Sequence, residues 1–267
     1  MAHSSLSPFR YPGSKAKLLN HILPAIQNLE GIKLSFSDIF VGGGSVALEI
    51  ARLYPNSKIY LNDKDPRISA FWKVVSTDKV HDLLEMMKII PACDLFYSCQ
   101  EEMGKTDLDL AFQGIYLNRT SFSGMLSAGP IGGKGQKSKY KIGCRYNLKV
   151  LSDKILTCNG LLEGRTRVTS EDFRFAFYGQ GPFYVDPPYV TKGNELYSIG
   201  MSFEDHRSLE YILKCRDNWV LSYDDCDLVR ELYPPEWITE IPVKYCVKNE
   251  WREKRELLIN RPTTIYS

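Results

Sequence analysis

The chain has 267 residues, of which 43% are apolar and 25% charged, with a formal net charge of +2. Such a length and composition indicate a globular protein with one large domain, or with a large and a small one. No stretch approaches the roughly 18 apolar residues of a membrane span, and residues 1–8 lack the apolar core of a signal peptide. The seven cysteines and four histidines are scattered without metal-ligand spacing. We therefore expect a cytoplasmic protein without a membrane span or a metal site.

Apolar periodicity predicts helices and strands that alternate along the chain. The predicted helices are Ser14–Leu29, Val46–Tyr54, a helical stretch from Arg67 to Asn118 with breaks near Thr77, Pro91 and Lys105, and Asn147–Cys158. The predicted strands are Leu34–Phe40, Lys58–Leu61, Arg167–Thr169, Phe183–Val185, Trp219–Ser222, Ile238–Ile241 and Glu256–Asn260. This alternation predicts an α/β domain around a mostly parallel sheet.

A glycine-rich loop, Val41–Ser45, lies between the first predicted strand and the helix that follows. Glycines there allow the backbone to approach a ligand closely. Asp63 ends the next strand about 20 residues later, where an acid can bind ribose hydroxyls. Gly42 and Gly44 with Ala47 also satisfy the loose dinucleotide fingerprint. The loop therefore predicts a nucleoside cofactor, and NAD remains one alternative.

A second loop, Asp186-Pro187-Pro188-Tyr189, follows the apolar strand Phe183–Val185. Two successive prolines lack N–H groups and cannot continue a sheet, so the loop leaves it stiffly at the carboxyl end, where open α/β sheets bind ligands. Acceptors at Asp186 and Pro187 could draw a planar amine toward tetrahedral geometry, and Tyr189 offers a face on which a base can stack. The loop thus predicts methylation of the exocyclic amine of a base flipped out of its duplex.

A basic, glycine-rich segment follows the central helices, and the chain has no Asp or Glu from Asn118 to Ser152. Such a composition suits contacts with DNA phosphates and insertion into a groove. The candidate DNA-binding side chains are Arg119, Lys134, Lys137, Lys139, Lys141 and Arg145.

Four motifs occur in the order in which Dam-type DNA adenine methyltransferases have them, and the chain resembles that family from about residue 9 to 261. They are Arg10–Lys15, Asp38–Ser45, Asn62-Asp63 and Asp186–Tyr189. Weaker matches are Tyr116–Arg119, Glu171–Phe173, Leu221–Tyr223 and Glu256–Asn260.

The resemblance implies an S-adenosylmethionine-dependent enzyme that methylates N6 of adenine in double-stranded DNA. It implies a Rossmann-like sheet with helices on both faces, and a small helical and hairpin insertion that recognises DNA. Residues 1–75 and 160–267 would form the catalytic domain and residues 76–159 the insertion. The implied cofactor contacts are Tyr11 and Lys15 at the methionine portion, Phe40, Gly42 and Gly44 along the pocket, Asp63 at the ribose, Asp172 and Phe173 at the adenine, and Asp186, which would also contact the target amine. We expect a monomer, and a cognate restriction endonuclease is a candidate partner.

The basic segment departs from the family pattern, which has Gly-x-Phe-Asn-x-Pro in the hairpin that reads GATC. Residues 123–133 of this chain read SGMLSAGPIGG instead, so we predict a target sequence other than GATC. The residues alone leave alternatives open: the same chemistry on a cytosine amine or on RNA, an NAD-dependent dehydrogenase, or an inactive DNA-binding module. The dehydrogenase would give Asp186–Tyr189 no role.

Overall fold

The structure, a computed structural model, describes residues 6–10, 15–178, 181–190, 200–247 and 250–261. For residues 244–247 and 250–254 the structure describes the backbone alone. The strands are β1 (Ser35–Asp38), β2 (Lys58–Asn62), β3 (Thr166–Thr169), β4 (Phe183–Val185), β5 (Trp219–Asp224), β6 (Ile238–Val247) and β7 (Glu250–Ile259).

These strands form one sheet in the order β3-β2-β1-β4-β5-β7-β6. Strands β1 to β5 pair in parallel, whereas β7 is antiparallel to both β5 and β6. The mostly parallel sheet predicted from the sequence is therefore confirmed. The carboxyl ends of β1, β2 and β4 meet at one edge, where the glycine loop, Asp63 and the Asp-Pro-Pro-Tyr loop all begin.

Local sequence explains where several helices begin. Asp65 caps a helix that opens with Pro66, and Asn147 caps another. Capping boxes join Thr106 to Asp109 and Ser202 to Asp205. The helices are α1 (Leu19–Gln27), α2 (Ser45–Leu53), α3 (Pro66–Val75), α4 (Val80–Met86), α5 (Cys93–Glu101), α6 (Asp107–Thr120), α7 (Leu148–Leu162), α8 (Phe203–Lys214) and α9 (Asp227–Leu232).

Helices cover both faces of the sheet. Because successive strand residues point to opposite sides, each strand contributes side chains to both helical layers. In β4, Tyr184 belongs to the core cluster that contains residues of α2, α3, α6 and α7, whereas its neighbours Phe183 and Val185 belong to the cluster that contains residues of α8 and α9. Helices α4 and α5 bury Val80 and Phe96 in the same core as Tyr184. The helical part of the segment 76–159 thus shares the core of the sheet. Its separation as an insertion with its own role remains a prediction.

Several boundaries differ from those predicted. The helix predicted over Ser14–Leu29 is a 3-10 helix at Lys15–Lys17 followed by α1, and Ser14 lies outside the described residues. Strands β6 and β7 are longer than the predicted Ile238–Ile241 and Glu256–Asn260, because the two pair with each other over ten positions. The sequence-based prediction did not include α8 and α9. In the predicted hairpin region, one antiparallel bridge joins Ser121 to Pro130.

Candidate active site

A cleft of about 960 Å³, including its open mouth, lies at the carboxyl edge of the parallel strands. The glycine loop, the ends of β2 and β4 and the 3-10 helix Phe173–Phe175 surround it. Of the predicted cofactor-binding residues, the cleft brings together Lys15, Phe40, Gly42, Gly44, Asp63, Asp172, Phe173 and Asp186. Tyr11 lies outside the described residues.

The glycine loop is fixed from below by Trp72 of α3. The indole Nε1 donates to the carbonyl of Gly42 over 2.8 Å, and the ring is fully buried. Gly44 has φ of +69°, and a Cβ at this position would lie 2.6 Å from the Trp72 ring. A side chain at Gly44 is therefore excluded both by its backbone conformation and by the indole beneath it. Trp72 was not among the predicted site residues.

Asn62 and Asp63 arrange the end of β2. Buried Asn62 donates to the carbonyls of Ile39 and Glu171 and accepts from Thr169, so it ties three strand ends together. Asp63 accepts backbone N–H groups from Gly42 and Asp65, each over 2.9 Å. Burial raises the pKa of Asp63 to about 7, and the Asp65 carboxylate contributes to that rise. Each Asp63 oxygen keeps a lone pair for a further donor.

The far wall of the cleft contains Asp172 and Phe173. Asp172 accepts from Lys64 and Arg174, both over 2.9 Å. Partial burial tends to raise the pKa of Asp172, but these hydrogen bonds outweigh burial and lower it. The rings of Phe40 and Phe173 lie 5.7 Å apart at a tilt of 33°. This aromatic pair beside a fixed carboxylate offers an apolar surface for a planar base with a donor at its edge.

Asp186 stands at the end of β4 with its carboxylate 20% exposed. Its Oδ1 accepts from Lys15 Nζ over 2.5 Å and from Ser222 Oγ over 3.0 Å. Burial raises the pKa of Asp186, and the ammonium of Lys15 opposes that rise. Among the described residues, both hydrogen bonds fall on Oδ1. The second oxygen, Oδ2, is therefore the acceptor that remains for a substrate donor.

Tyr189 is held at both ends. Its hydroxyl donates to Glu256 of β7, which is buried, and the ammonium of Lys15 lies 4.8 Å from the centroid of its ring. The backbone of Val190 is tied to Asp224 over 3.3 Å. The loop predicted to be stiff because of its prolines is thus also anchored to β5 and β7. Glu256 was predicted only as part of a weak motif.

Asp38, at the end of β1, is a site residue that the sequence analysis did not assign. Its side chain is 2% exposed and lines the cleft. In the described part of the chain, its Oδ1 has no hydrogen-bond partner. Burial raises the pKa of Asp38 well above its usual value, and nearby Asp186 adds to the effect. The sequence did contain a signal for this residue, because Asp38 is an acid in the strand predicted immediately before the glycine loop.

The segment of residues 6–10, which leads toward Lys15, is held by side chains of α6 and α7. The buried amide of Asn118 accepts from Arg10 N over 2.8 Å and donates to the carbonyls of Arg10 and Gly124. Arg119 donates to the carbonyl of Pro8, and Lys154 to that of Ser7. Predicted as a DNA-binding residue, Arg119 is half-buried and has this internal acceptor.

The other predicted DNA-binding side chains are exposed, namely Lys134, Lys137, Lys139, Lys141 and Arg145. The loop that carries them is folded around Gln136. That side chain donates to the carbonyls of Ile131 and Gly133 and accepts from the backbone of Ile142. Gln100 of α5 donates to two further carbonyls, those of Leu126 and Ala128. Amide side chains therefore fix the backbone of the segment, and its lysines lie exposed at the surface, where Lys141 donates to the carbonyl of Gln136 and the ammonium of Lys134 lies near the Tyr97 ring.

A parallel sheet with such a cleft at its carboxyl edge defines a class of α/β enzymes that bind nucleoside-containing cofactors. Comparison with family models narrows that class, because the model of the D12 class N6 adenine-specific DNA methyltransferases matches residues 11–247. This match covers most of the chain, and the chain belongs to that family. A search of curated proteins gave no match.

Family membership confirms the predicted chemistry: S-adenosylmethionine-dependent methylation of adenine N6 in DNA. It decides against the NAD-dependent, cytosine-directed and RNA-directed alternatives. Among the described helices, none is long and apolar enough to cross a membrane. The described side chains also include no group of three or more His, Cys, Asp or Glu residues able to hold a metal ion.

Proposed function

We propose that Asp186 binds the N6 amine of an adenine flipped out of double-stranded DNA, with the Pro187 carbonyl as a second acceptor. This proposal rests on the different hydrogen bonding of the two Asp186 carboxylate oxygens. Lys15 and Ser222 both occupy Oδ1, so Oδ2 is left for the substrate. An amine that donates to two fixed acceptors has its lone pair directed away from them, which positions the nitrogen for attack.

Pro187 and Pro188 hold these acceptors at a fixed distance from the sheet, and Tyr189 stacks against the flipped base. Glu256 accepts a hydrogen bond from the Tyr189 hydroxyl and so fixes the orientation of the Tyr189 ring. The ammonium of Lys15 already lies over one ring face, so the base takes the other face or displaces the ammonium. Each of these contacts acts through position and electrostatics, as expected where the protein itself forms no covalent bond.

The side chains of the cleft fit S-adenosylmethionine, which supplies an activated methyl group when bound. Asp63 keeps lone pairs for the ribose hydroxyls, and Asp38 offers an unpaired oxygen to the cationic amino group. Asp172 and Phe173, together with Phe40, surround a space suited to adenine. We assign the backbone of Gly42 and Gly44 to the pocket floor, and Lys15 and Tyr11 to the methionine portion.

We further propose that residues 76–159 serve target recognition and residues 1–75 and 160–267 catalysis. The exposed cations Lys134, Lys137, Lys139, Lys141 and Arg145 contact phosphates, and Arg119 supports them from within. The difference at residues 123–133 favours a target other than GATC. We expect the protein to be cytoplasmic, because DNA and S-adenosylmethionine meet in the cytoplasm, and we expect it to be a monomer. A cognate restriction endonuclease is a candidate partner.

The test uses labelled S-adenosylmethionine and mixed-sequence duplex DNA, followed by digestion to nucleosides. Wild-type protein should yield N6-methyl-2′-deoxyadenosine. Asp186→Ala should lower the rate of methyl transfer at least about 100-fold. Asp217→Ala removes an exposed carboxylate far from the cleft and should leave the rate unchanged. Circular dichroism of each variant verifies that the fold survives. Normal activity of a folded Asp186→Ala protein would show that the proposed role of Asp186 is wrong.

A further inference from the structure

Three arginines lie together where the segment of residues 6–10 crosses α6. Asn118 hydrogen-bonds both the N–H and the carbonyl of Arg10. The next residue, Arg119, donates to the carbonyl of Pro8. The 3-10 helix Ile142–Arg145 packs on α6 and brings Arg145 to the same place. The electrostatics of Arg119 agree with this placement. Burial lowers the pKa of Arg119 to about 10, and Arg10 and Arg145 both contribute to that decrease.

This arginine cluster, Arg10, Arg119 and Arg145, lacks an anionic partner. In the described part of the chain, no ion pair joins any of the three to an aspartate or glutamate. Arg10 Nη1 and Arg119 Nε are buried without a hydrogen-bond partner. Arg119 donates to a carbonyl, which satisfies one N–H but leaves the positive charge in place. Unpaired buried donors in a native structure require an explanation.

An anion would satisfy both deficits at once, since guanidinium groups present planar pairs of donors that match phosphate oxygens. Arg145 is exposed, whereas Arg10 and Arg119 are half-buried, so a phosphate would approach the cluster at Arg145. Arg10 precedes Lys15 by five residues, which limits the distance between their Cα atoms to about 18 Å. The ammonium of Lys15 contacts Asp186. The cluster therefore lies within a few nucleotides of the reacting adenine.

We propose that Arg10, Arg119 and Arg145 form a binding site for one phosphodiester of the DNA backbone near the flipped adenine. This proposal rests on the proposed function, and it distinguishes the cluster from the exposed lysines of the same loop. Those lysines are exposed and reach any nearby phosphate on flexible stems, whereas Arg10 and Arg119 are half-buried and Asn118 fixes the backbone of Arg10, so the cluster binds a phosphate at one position. It thus sets the register of the enzyme on its substrate.

The first test compares stability with affinity in Arg145→Gln, which changes an exposed side chain. Removal of one of three clustered like charges should leave the melting temperature unchanged or higher. The affinity for duplex DNA should fall about tenfold or more, and the slope of log affinity against log salt should become shallower by about one. Arg10→Gln should behave similarly. Lys33→Gln, an exposed cation at the opposite edge of the sheet, should change neither quantity.

The second test locates the phosphate with duplexes that contain the methylated sequence and one uncharged methylphosphonate at a time. For wild-type protein, one position within a few nucleotides of the adenine should cost about tenfold in affinity. Arg145→Gln should be insensitive at that position and retain its sensitivity elsewhere. A loss of melting temperature together with affinity, or the same methylphosphonate profile in both proteins, would overturn the proposal.

Inorganic phosphate separates the two sources of the anion. If phosphate protects wild-type protein against thermal unfolding while no single methylphosphonate matters, the cluster binds a free anion and the DNA assignment is wrong. Methyl transfer to the unmodified duplex is measured in the same series. Normal transfer with a flat methylphosphonate profile would refute the phosphate site alone, whereas no transfer by wild-type protein would refute the proposed function.

Discussion

The cleft and the arginine cluster contain residues only five positions apart, Lys15 and Arg10, and their charges are opposite. In the cleft, Asp63 and Asp172 are ionisable groups whose oxygens already accept backbone N–H groups or ammonium groups. In the cluster, Arg10 and Arg145 have no carboxylate partner among the described residues. The carboxylates of Asp63 and Asp172 are therefore held in place before a ligand arrives, whereas the cluster is electrostatically incomplete without one. Preorganisation of this kind suits a small cofactor, and charge left unneutralised suits a polyanion.

The preorganised cleft can be broken at Gly44, where we expect the largest effect. Gly44→Ala combines a left-handed backbone with a Cβ 2.6 Å from the Trp72 ring. The strain costs about 1–2 kcal/mol and overpacking about 1–3 kcal/mol more. We expect a loss of about 2–5 kcal/mol in unfolding free energy and weak cofactor binding. Denaturant melts and calorimetry with S-adenosylmethionine measure the two.

Gly31→Ala provides the matched control for that experiment. Gly31 has a similar φ of +79°, but a Cβ there meets nothing within 4 Å. It should show the strain alone, about 1–2 kcal/mol, with normal cofactor binding. Equal losses in the two variants would contradict the role given to Trp72 as the fixed support of the glycine loop.

The link between the two regions can be broken at Asn118, which is fully buried. Asn118→Ala leaves Arg10 N–H and two carbonyls without their partner, at a cost of about 2–3 kcal/mol. Amide exchange at Arg10 should accelerate, and DNA affinity should fall because Arg10 is no longer fixed. Asn159→Ala is the control. Asn159 lies on α7, and its amide also donates to two carbonyls, those of Val75 and Thr77. That variant should lose stability without losing DNA affinity, and the same affinity loss in both would argue against a specific link.

The smallest expected effect concerns the titration of Asp63, whose pKa burial raises to about 7. Ribose hydroxyls bind the ionised carboxylate better, so affinity for the cofactor should rise with pH. Between pH 6 and pH 8 the ionised fraction rises about tenfold, and the affinity should follow. Asp63→Asn should bind the cofactor more weakly and with an affinity that no longer rises with pH. This variant thereby separates the titration of Asp63 from titration of the cofactor itself. The same pH dependence in both proteins would rule out Asp63 as its source.

Much of the fold follows from the sequence because its signals are local. The breaks near Thr77, Pro91 and Lys105 fall in the gaps that separate α3, α4, α5 and α6, and the strands from β1 to β5 lie where apolar runs predict them. The missed helix α8 also had a local signal, since Ser202 and Asp205 form a capping box before Leu209 and Leu213. Helix α9 has only six residues, too short for a clear period.

The site divides in the same way. The glycine loop and the Asp-Pro-Pro-Tyr loop are contiguous motifs, so the sequence identifies them directly. The roles of Trp72, Glu256 and Arg10 depend on partners far along the chain, such as Gly42 for Trp72 and Tyr189 for Glu256. Composition could identify a basic segment, but it could not separate the half-buried Arg119 from the exposed lysines beside it. Pairings over such separations are set by the assembled fold rather than by local preference.

The segment of residues 6–10 has a consequence for the order of folding. It forms no helix or strand of its own, and its carbonyl partners Asn118, Arg119 and Lys154 lie 108 to 147 positions away along the chain. Contacts across such long loops carry a large closure entropy and form after local structure. We therefore expect this segment to dock last, once α6 and α7 are in place. A refolding chain should regain its helical signal before it regains DNA binding, so that the two kinetic traces report folding and assembly of the active enzyme separately.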